Sequence, residues 1–394
     1  MDHTSVYVER DLVALEANKI VVHSARKPGL KKIAPGFGRD SKIVCFQDVG
    51  LRFFGPRPSQ DAVFEAASSG IQKSRTNLGK HFKNWVLVCQ YRWARQFLQR
   101  QKPQYLVVWN GVRGHRAMLS MAARELGITV IYFEDAPLPG RIAVDTHGVN
   151  YGALLPKDIE FYKNWCTTNN ANLVDWKSIG QTLKARKATH NTAVEQRETS
   201  DNLASQKFLF FPLQVEGDSQ ITAYGDWIKS VKQSIFEVHK ASRELPEGWH
   251  VRVKDHPSTK TPFVELLSQL DDEKFRVDNT TDTIAQVRAS SGVITVNSSV
   301  GLQTFFYEKP VLTLGHSIYA FSSLAIKLDS PEELSNLLAT PDKWQFDSQE
   351  RNAFMTYLEK AQFLLEEDLC NGKIGIDDIV ARDMEKQQFL ARSS

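Results

Sequence analysis

Residues 207–220 read KFLFFPLQVEGDSQ. The apolar run Phe208 to Phe211 is closed by Pro212, which has no N–H with which to continue a ladder. A run this short and continuously apolar predicts a strand buried in a parallel sheet. Behind it come Gln214, Glu216, Gly217, Asp218, Ser219 and Gln220, a polar cluster on a glycine turn. In open α/β sheets, ligands bind just beyond the carboxyl ends of strands. Asp218 is therefore either the N-cap of a helix that starts near Ser219 or a reactive acid, and the local pattern leaves both open.

The same rhythm recurs along the chain. Strands are predicted at 19–23, 42–46, 105–109 and 128–133, then at 208–211, 250–253, 275–277, 293–296 and 311–314. Helical patterns lie between them: 59–101, the segment after Asn110-Gly111 that ends at Gly127, and 220–242, 261–270, 281–290 and 299–308. Strand–helix–strand at this spacing is the βαβ unit of a parallel sheet. Residues 134–156 read as a long polar loop, 182–202 as a linker, and 331–394 as helical, including a leucine-rich segment at 357–369. With 394 residues, two domains of roughly 100–200 residues are expected. The boundaries drawn are an N-terminal Rossmann-like domain with linker over 1–200, a C-terminal one over 201–330, and a helical tail over 331–394. Two such α/β halves facing a cleft resemble the GT-B arrangement of nucleotide-sugar enzymes, an analogy of fold that fixes no function.

Composition narrows the classes. A formal net charge of +3 gives no field that would argue for nucleic acid. No window approaches the ~18 apolar residues of a membrane-spanning helix, and the start MDHTSVYVERDLVALE has no secretory core. Cys45, Cys89, Cys166 and Cys370 show no metal spacing and read as reduced packing residues of a cytoplasmic protein. The basic segment 24–39, with Arg26, Lys27, Lys31, Lys32 and Arg39, is either a solvated loop or a surface for an anionic acceptor or lipid headgroup.

Polar clusters at the ends of four predicted strands carry the chemistry: Glu134-Asp135, Gln214 to Gln220, Lys254-Asp255-His256-Pro257, and Asn297-Ser298-Ser299-Val300-Gly301. Their common position matters more than any one of them. Hydroxyls and backbone N–H groups at the NSSVG turn can bind phosphate, or Ser298 or Ser299 only caps a helix. Lys254 and His256 can neutralise a phosphate or carboxylate, with Pro257 fixing the turn. Glu134 and Asp218, from different halves, can form an acid/base or a nucleophile/acid pair, as in glycosyl chemistry. His115 and Arg116 are placed to line the same cleft. Asp135 and Asp145 can equally be loop caps. The chain has no DxD and no GxxxxGK[ST], so no metal and no cofactor are expected.

The segments FEDAPLPGRIAVDTHGVNYGALLP, LQVEGDSQI, VKDHP and ITVNSSVGLQTFFYEKPVLTLGHSIY together resemble the KpsS/KpsC-type capsule polysaccharide synthesis proteins, most closely the shorter KpsS-like members. The likeness spans about 104–320. Ala136 stands where the family has glycine, and Arg141 is displaced from its usual place.

The resemblance implies a retaining β-Kdo glycosyltransferase of GT-B-like fold that uses CMP-Kdo and a phosphatidylglycerol-type lipid or a glycan primer. It implies work at the inner face of the cytoplasmic membrane, alongside other capsule assembly proteins. It makes Asp218 the nucleophile and Glu134 the base. It assigns Gln214, Ser219, Lys254, His256, Pro257, Asn297, Ser298, Ser299 and Gly301 to the donor, with Arg141 or Lys254 meeting the sugar carboxylate. The alternatives are a non-catalytic capsule assembly or export component, a nucleotide-sugar 2-epimerase using a UDP-sugar, and a transferase for another CMP-linked ulosonic acid.

Overall fold

The computed structural model describes residues 20–24, 28–37, 41–45, 48–68, 76–184, 203–257, 259 and 263–393. Twelve strands lie among them: β1 (Ile20–Ser24), β2 (Ser41–Cys45), β3 (Tyr105–Trp109), β4 (Thr129–Asp135), β5 (Arg141–Asp145), β6 (Lys207–Pro212), β7 (Trp249–Lys254), β8 (Phe275–Val277), β9 (Gly292–Thr295), β10 (Val311–Thr313), β11 (Ile326–Lys327) and β12 (Phe363–Leu365). They form two six-stranded sheets, ordered β12-β5-β4-β3-β1-β2 and β11-β10-β9-β6-β7-β8. The second sheet is parallel throughout. In the first, β1 to β4 are parallel, and β5 and β12 run antiparallel to their neighbours.

The central strands are those whose sequence is apolar on both faces. All of Tyr105–Trp109 is buried, as is Phe208 to Pro212. Helices then cover both faces of each sheet, as parallel sheets require. The two-half α/β architecture is the expected GT-B-like one, and it has two crevices. β1 lies between β2 and β3, and β6 between β7 and β9. Each is a point where the strand order reverses, and ligands bind at such points.

The segment 134–156, expected as loop, contains β5. Strand β4 runs on to Asp135 because Glu134 pairs with Ala143 and Asp135 with Ile142, and Pro137–Gly140 turns the chain back. Glu134 therefore sits on a strand. The tail is largely helical, but Phe363–Leu365 of its leucine-rich segment is the strand β12. It pairs with β5, and Leu364, Leu369, Ile376 and Ile379 complete the core beside β1 and β3. A separate core joins helix Ile159–Thr168 to residues of both halves.

Within 24–39 the chain forms a helix at Pro28–Ile33 and a tight turn at Ala34–Phe37. Arg26, Lys27 and Arg39, most of the linker (185–202) and the lead-in 1–16 lie outside the described residues. No helix among the described residues is long and apolar enough to cross a membrane.

Candidate functional site

The carboxyl ends of the two sheets face one cavity of about 430 Å³. From the first half it is lined by Trp109, Asn110, Arg113, Arg116, Glu134 and Tyr151, and from the second by Gln214, Asp218, His256, Asn297, Ser298 and Ser299. Three of the four strand-end clusters thus meet the cavity with several side chains, and the VKDHP cluster meets it with His256.

At the crevice between β6 and β9, Gln214 and Asn297 hold one another. The Gln214 amide donates to Asn297 Oδ1 at 3.0 Å, and the Asn297 backbone N–H donates to Gln214 Oε1 at 3.1 Å. Asn297 Nδ2 also donates to the carbonyls of Gln220 and Tyr224. Both side chains are buried. They satisfy each other and fasten the Asp218 turn to the NSSVG turn, so their work is positioning.

Asp218 caps a helix and also lines the cavity. Its Oδ1 accepts from the Gln220 N–H at 3.0 Å and caps helix Ser219–Tyr224. The same oxygen lies 3.3 Å from Arg113 Nη2 of the first half. Gly217, at φ +77°, makes the turn that aims the carboxylate into the cavity. Ser219 begins the helix, and its side chain lies outside the described ones.

Glu134 is held by donors from the first half. Trp109 Nε1 and the Asp135 N–H donate to Oε1, each at 3.1 Å, and Asn110 Nδ2 donates to Oε2 at 2.6 Å. Arg116 Nη1 donates to the Trp109 carbonyl at 2.9 Å. Burial lowers the Arg116 guanidinium below its ordinary range, and the Glu134 charge opposes that shift. His115 does not line the cavity. Its ring packs on His23, with centroids 5.1 Å apart.

Ser298 Oγ accepts from the Val300 N–H, and the Ser298 carbonyl accepts from Tyr319 Oη at 2.6 Å. Gly301 lies behind the turn, where an added Cβ would stand 2.1 Å from the Tyr319 hydroxyl, so it shapes the wall without facing the cavity. Asp255 fixes the loop that carries His256 by accepting from the His256 and Phe263 N–H groups, both at 2.8 Å. Pro257 follows His256 and is not part of the lining.

The structure places two of the expected cations elsewhere. Lys254 is buried, and its ammonium donates to the carbonyls of Asn279 and Thr281 at 3.0 and 2.5 Å. Burial pulls it below the usual lysine range. Arg141 donates to the Glu359 carbonyl and carboxylate and to the Phe363 carbonyl, tying β5 to β12. Among the described residues, the arginines that line the cavity are Arg113 and Arg116. Arg113 was legible only as a basic residue in the turn after β3, the same topological place as the four clusters. Tyr151 was not singled out; its ring stacks on His316 at 4.8 Å, with the Lys157 ammonium 4.9 Å from its centroid.

Residues 162–357 match the family model described as capsule polysaccharide biosynthesis protein. Capsule proteins are among its homologues. The Escherichia coli capsule polysaccharide export protein KpsS is 25% identical over 251 residues, covering 51% of this chain and 64% of that protein. Protein FixF of Sinorhizobium fredii is 26% identical over 311 residues, covering 75% of this chain and 72% of FixF. The capsule polysaccharide modification protein LipB of Neisseria meningitidis is 28% identical over 150 residues, covering 36% and 35%. Among solved structures, Thermosulfurimonas dismutans KpsC, beta Kdo 2,7 transferase, aligns over 92% of this chain and 99% of that one, at 15% identity and a TM-score of 0.46. The family match takes in Gln214, Asp218, His256 and the NSSVG turn, whereas Glu134 and Arg113 precede it.

Proposed function

We propose that this protein is a capsule polysaccharide glycosyltransferase, retaining and metal-independent. It would transfer Kdo from CMP-Kdo to a phosphatidylglycerol-type lipid or a glycan primer. The observation that carries the reading is that two carboxylates from different halves, Asp218 and Glu134, line one cavity together with Arg113 and Arg116.

In the first step an Asp218 carboxylate oxygen attacks the anomeric carbon, and the bond to CMP breaks with its electron pair leaving on the phosphate. In the second, the acceptor hydroxyl gives its proton to Glu134 as its oxygen attacks the same carbon and displaces Asp218. Two inversions retain configuration. The donor brings a carboxylate and a phosphate, and Arg113 and Arg116 supply the opposing charge. Arg113 shifts from Asp218 to the donor as it binds, which releases the nucleophile. His256, Ser298 and Ser299 face the CMP side, and Gln214 and Asn297 hold the two turns in register.

The test is incubation with CMP-Kdo and lysophosphatidylglycerol, read by mass spectrometry of lipid and of intact protein. One Kdo mass on the lipid, and a trapped adduct on Asp218, are expected. No mass increase on either, an adduct on another residue, or full activity in Asp218→Asn would overturn the reading.

A further inference from the structure

Asn110 follows β3 directly and adopts φ +66°, the left-handed region in which asparagine is enriched among residues with a Cβ. Its backbone N–H donates to the Phe133 carbonyl at 2.7 Å, and the Gly111 N–H donates to the Trp109 carbonyl at 2.8 Å. Gly111 is at φ +72°, and a Cβ there would collide with the Tyr132 ring. The backbone of this turn is therefore fixed from both sides. Asn110 is 7% exposed and belongs to the cavity lining.

Its amide meets Glu134. An ionised carboxylate only accepts, so the amide turns its nitrogen to it, and Nδ2 donates to Oε2 at 2.6 Å. Asn110 Oδ1 is left buried, with no partner among the described residues. A buried acceptor without a donor is unfavourable. The direction of this amide is thus set by Glu134, at the expense of its own oxygen.

The two oxygens of Glu134 are unequal. Oε1 accepts twice, from Trp109 Nε1 and from the Asp135 N–H, each at 3.1 Å. Oε2 accepts once, from Asn110. Each carboxylate oxygen has two lone-pair sites, so Oε1 is filled and Oε2 keeps one.

We propose that Asn110 is a positioning residue, whose amide turns Glu134 so that the remaining lone pair of Oε2 receives the proton of the acceptor hydroxyl. The inference deepens the reading of Glu134 as base and rests on it. The proton passes to Oε2, the hydroxyl oxygen bonds to the anomeric carbon, and the Asp218 bond breaks with its electron pair returning to the carboxylate. Glu134 is then neutral. An amide can follow that change because it is donor and acceptor at once. It donates to the carboxylate and, turned over, accepts from the carboxylic acid through the oxygen that has no partner in the resting site.

Glycine and aspartate both tolerate a positive φ, so substitutions exist that spare the turn. Asn110→Gly removes the amide, and Asn110→Asp sets an acceptor-only group against Glu134. With CMP-Kdo and lysophosphatidylglycerol, each should lower kcat about 10–100-fold. KM for either substrate should stay within about twofold, which a merely structural loss would not respect. In an enzyme that already carries Glu134→Gln, Asn110→Gly should change kcat less than about twofold, because the group it acts through is gone. Asn110→Asp decides the matter if Asn110→Gly does not fold. An equal fall in kcat in both backgrounds, or wild-type rates in the Asn110 variants, overturns this inference alone. Wild-type rate in Glu134→Gln, or a wild type that transfers nothing, overturns the reading of Glu134 as base and this inference with it.

Discussion

Arg113 Nη2 lies 3.3 Å from Asp218 Oδ1, joining the cap of helix Gly114–Glu125 in one half to the cap of helix Ser219–Tyr224 in the other. A partly exposed pair of this kind contributes at most about 1 kcal/mol to stability. The pair holds the Asp218 carboxylate at the cavity.

The cap made by Asp218 and its proposed role as nucleophile separate by substitution. Asparagine caps a helix about as well as aspartate, whereas alanine costs about 1 kcal/mol. Asp218→Asn should therefore melt within a few degrees of wild type while transfer falls by about 10³-fold or more. Asp218→Ala should lose both. Denaturant titration beside a turnover assay reads the two quantities, and an Asp218→Asn enzyme of near-normal rate would leave only the cap.

Glu134→Gln replaces an acceptor with an amide that must meet Asn110 Nδ2, now 2.6 Å from Oε2. If Glu134 is the base proposed above, its loss should cost about 10²–10⁴ in kcat, with little change in KM for the donor. Steady-state kinetics in varied CMP-Kdo checks this. An effect confined to KM would make Glu134 a binding group.

Lys386 is fully buried and donates to Asp145 Oδ2, Asp383 Oδ1 and Gln362 Oε1 at 3.0, 2.7 and 2.8 Å. Burial lowers its ammonium, against the pull of Asp145. Lys386→Met would leave two buried carboxylates with one cation fewer, a loss of about 3–5 kcal/mol. Urea midpoints should show it. Adding Asp383→Asn should recover part, because it removes one of the stranded charges.

His23 is buried, and burial followed by the Arg116 charge lowers its pKa from 6.5 to about 4. Its neighbour His115 falls to about 3, through burial and then His23 and Arg116. Asp48 opposes the shift of His23. In the unfolded chain each imidazole takes a proton near pH 6.5 that the folded chain refuses. Stability therefore holds above that pH and falls as pH drops from 6.5 towards 4, by about 1 kcal/mol per unit for each ring. His23→Asn should flatten that acid limb, as measured by denaturation at pH 7, 6 and 5.

Most of the architecture was legible because it rests on local pattern. YLVVW, FLFFP and VITV are short, apolar and bounded by breakers, and each is a central strand. β5 and β12 were not legible. RIAVD has charged ends and FLL sits in a leucine-rich helical context, so only mutual pairing makes strands of them. The cavity was legible at Asp218 and His256 from their place behind strands, and at Glu134 from its place near the carboxyl end of one. Lys254 shares that place, yet its side chain turns inward to two carbonyls. A residue's position on a strand does not say what its long side chain will reach. Arg113 was hidden for the same reason in reverse, as a turn residue whose partner comes from the other half.

Phe363 of β12 pairs with Ala143 of β5, 220 positions earlier. At about 5–20 residues per second, a ribosome needs roughly 11–44 s to make that stretch. Throughout it the first sheet is without its edge strand, and β5 offers unpaired backbone groups to any neighbour. During synthesis this half cannot be finished by its own segment alone. It waits for chain made after the second half, and a chaperone that shields a nascent sheet edge would act in that interval.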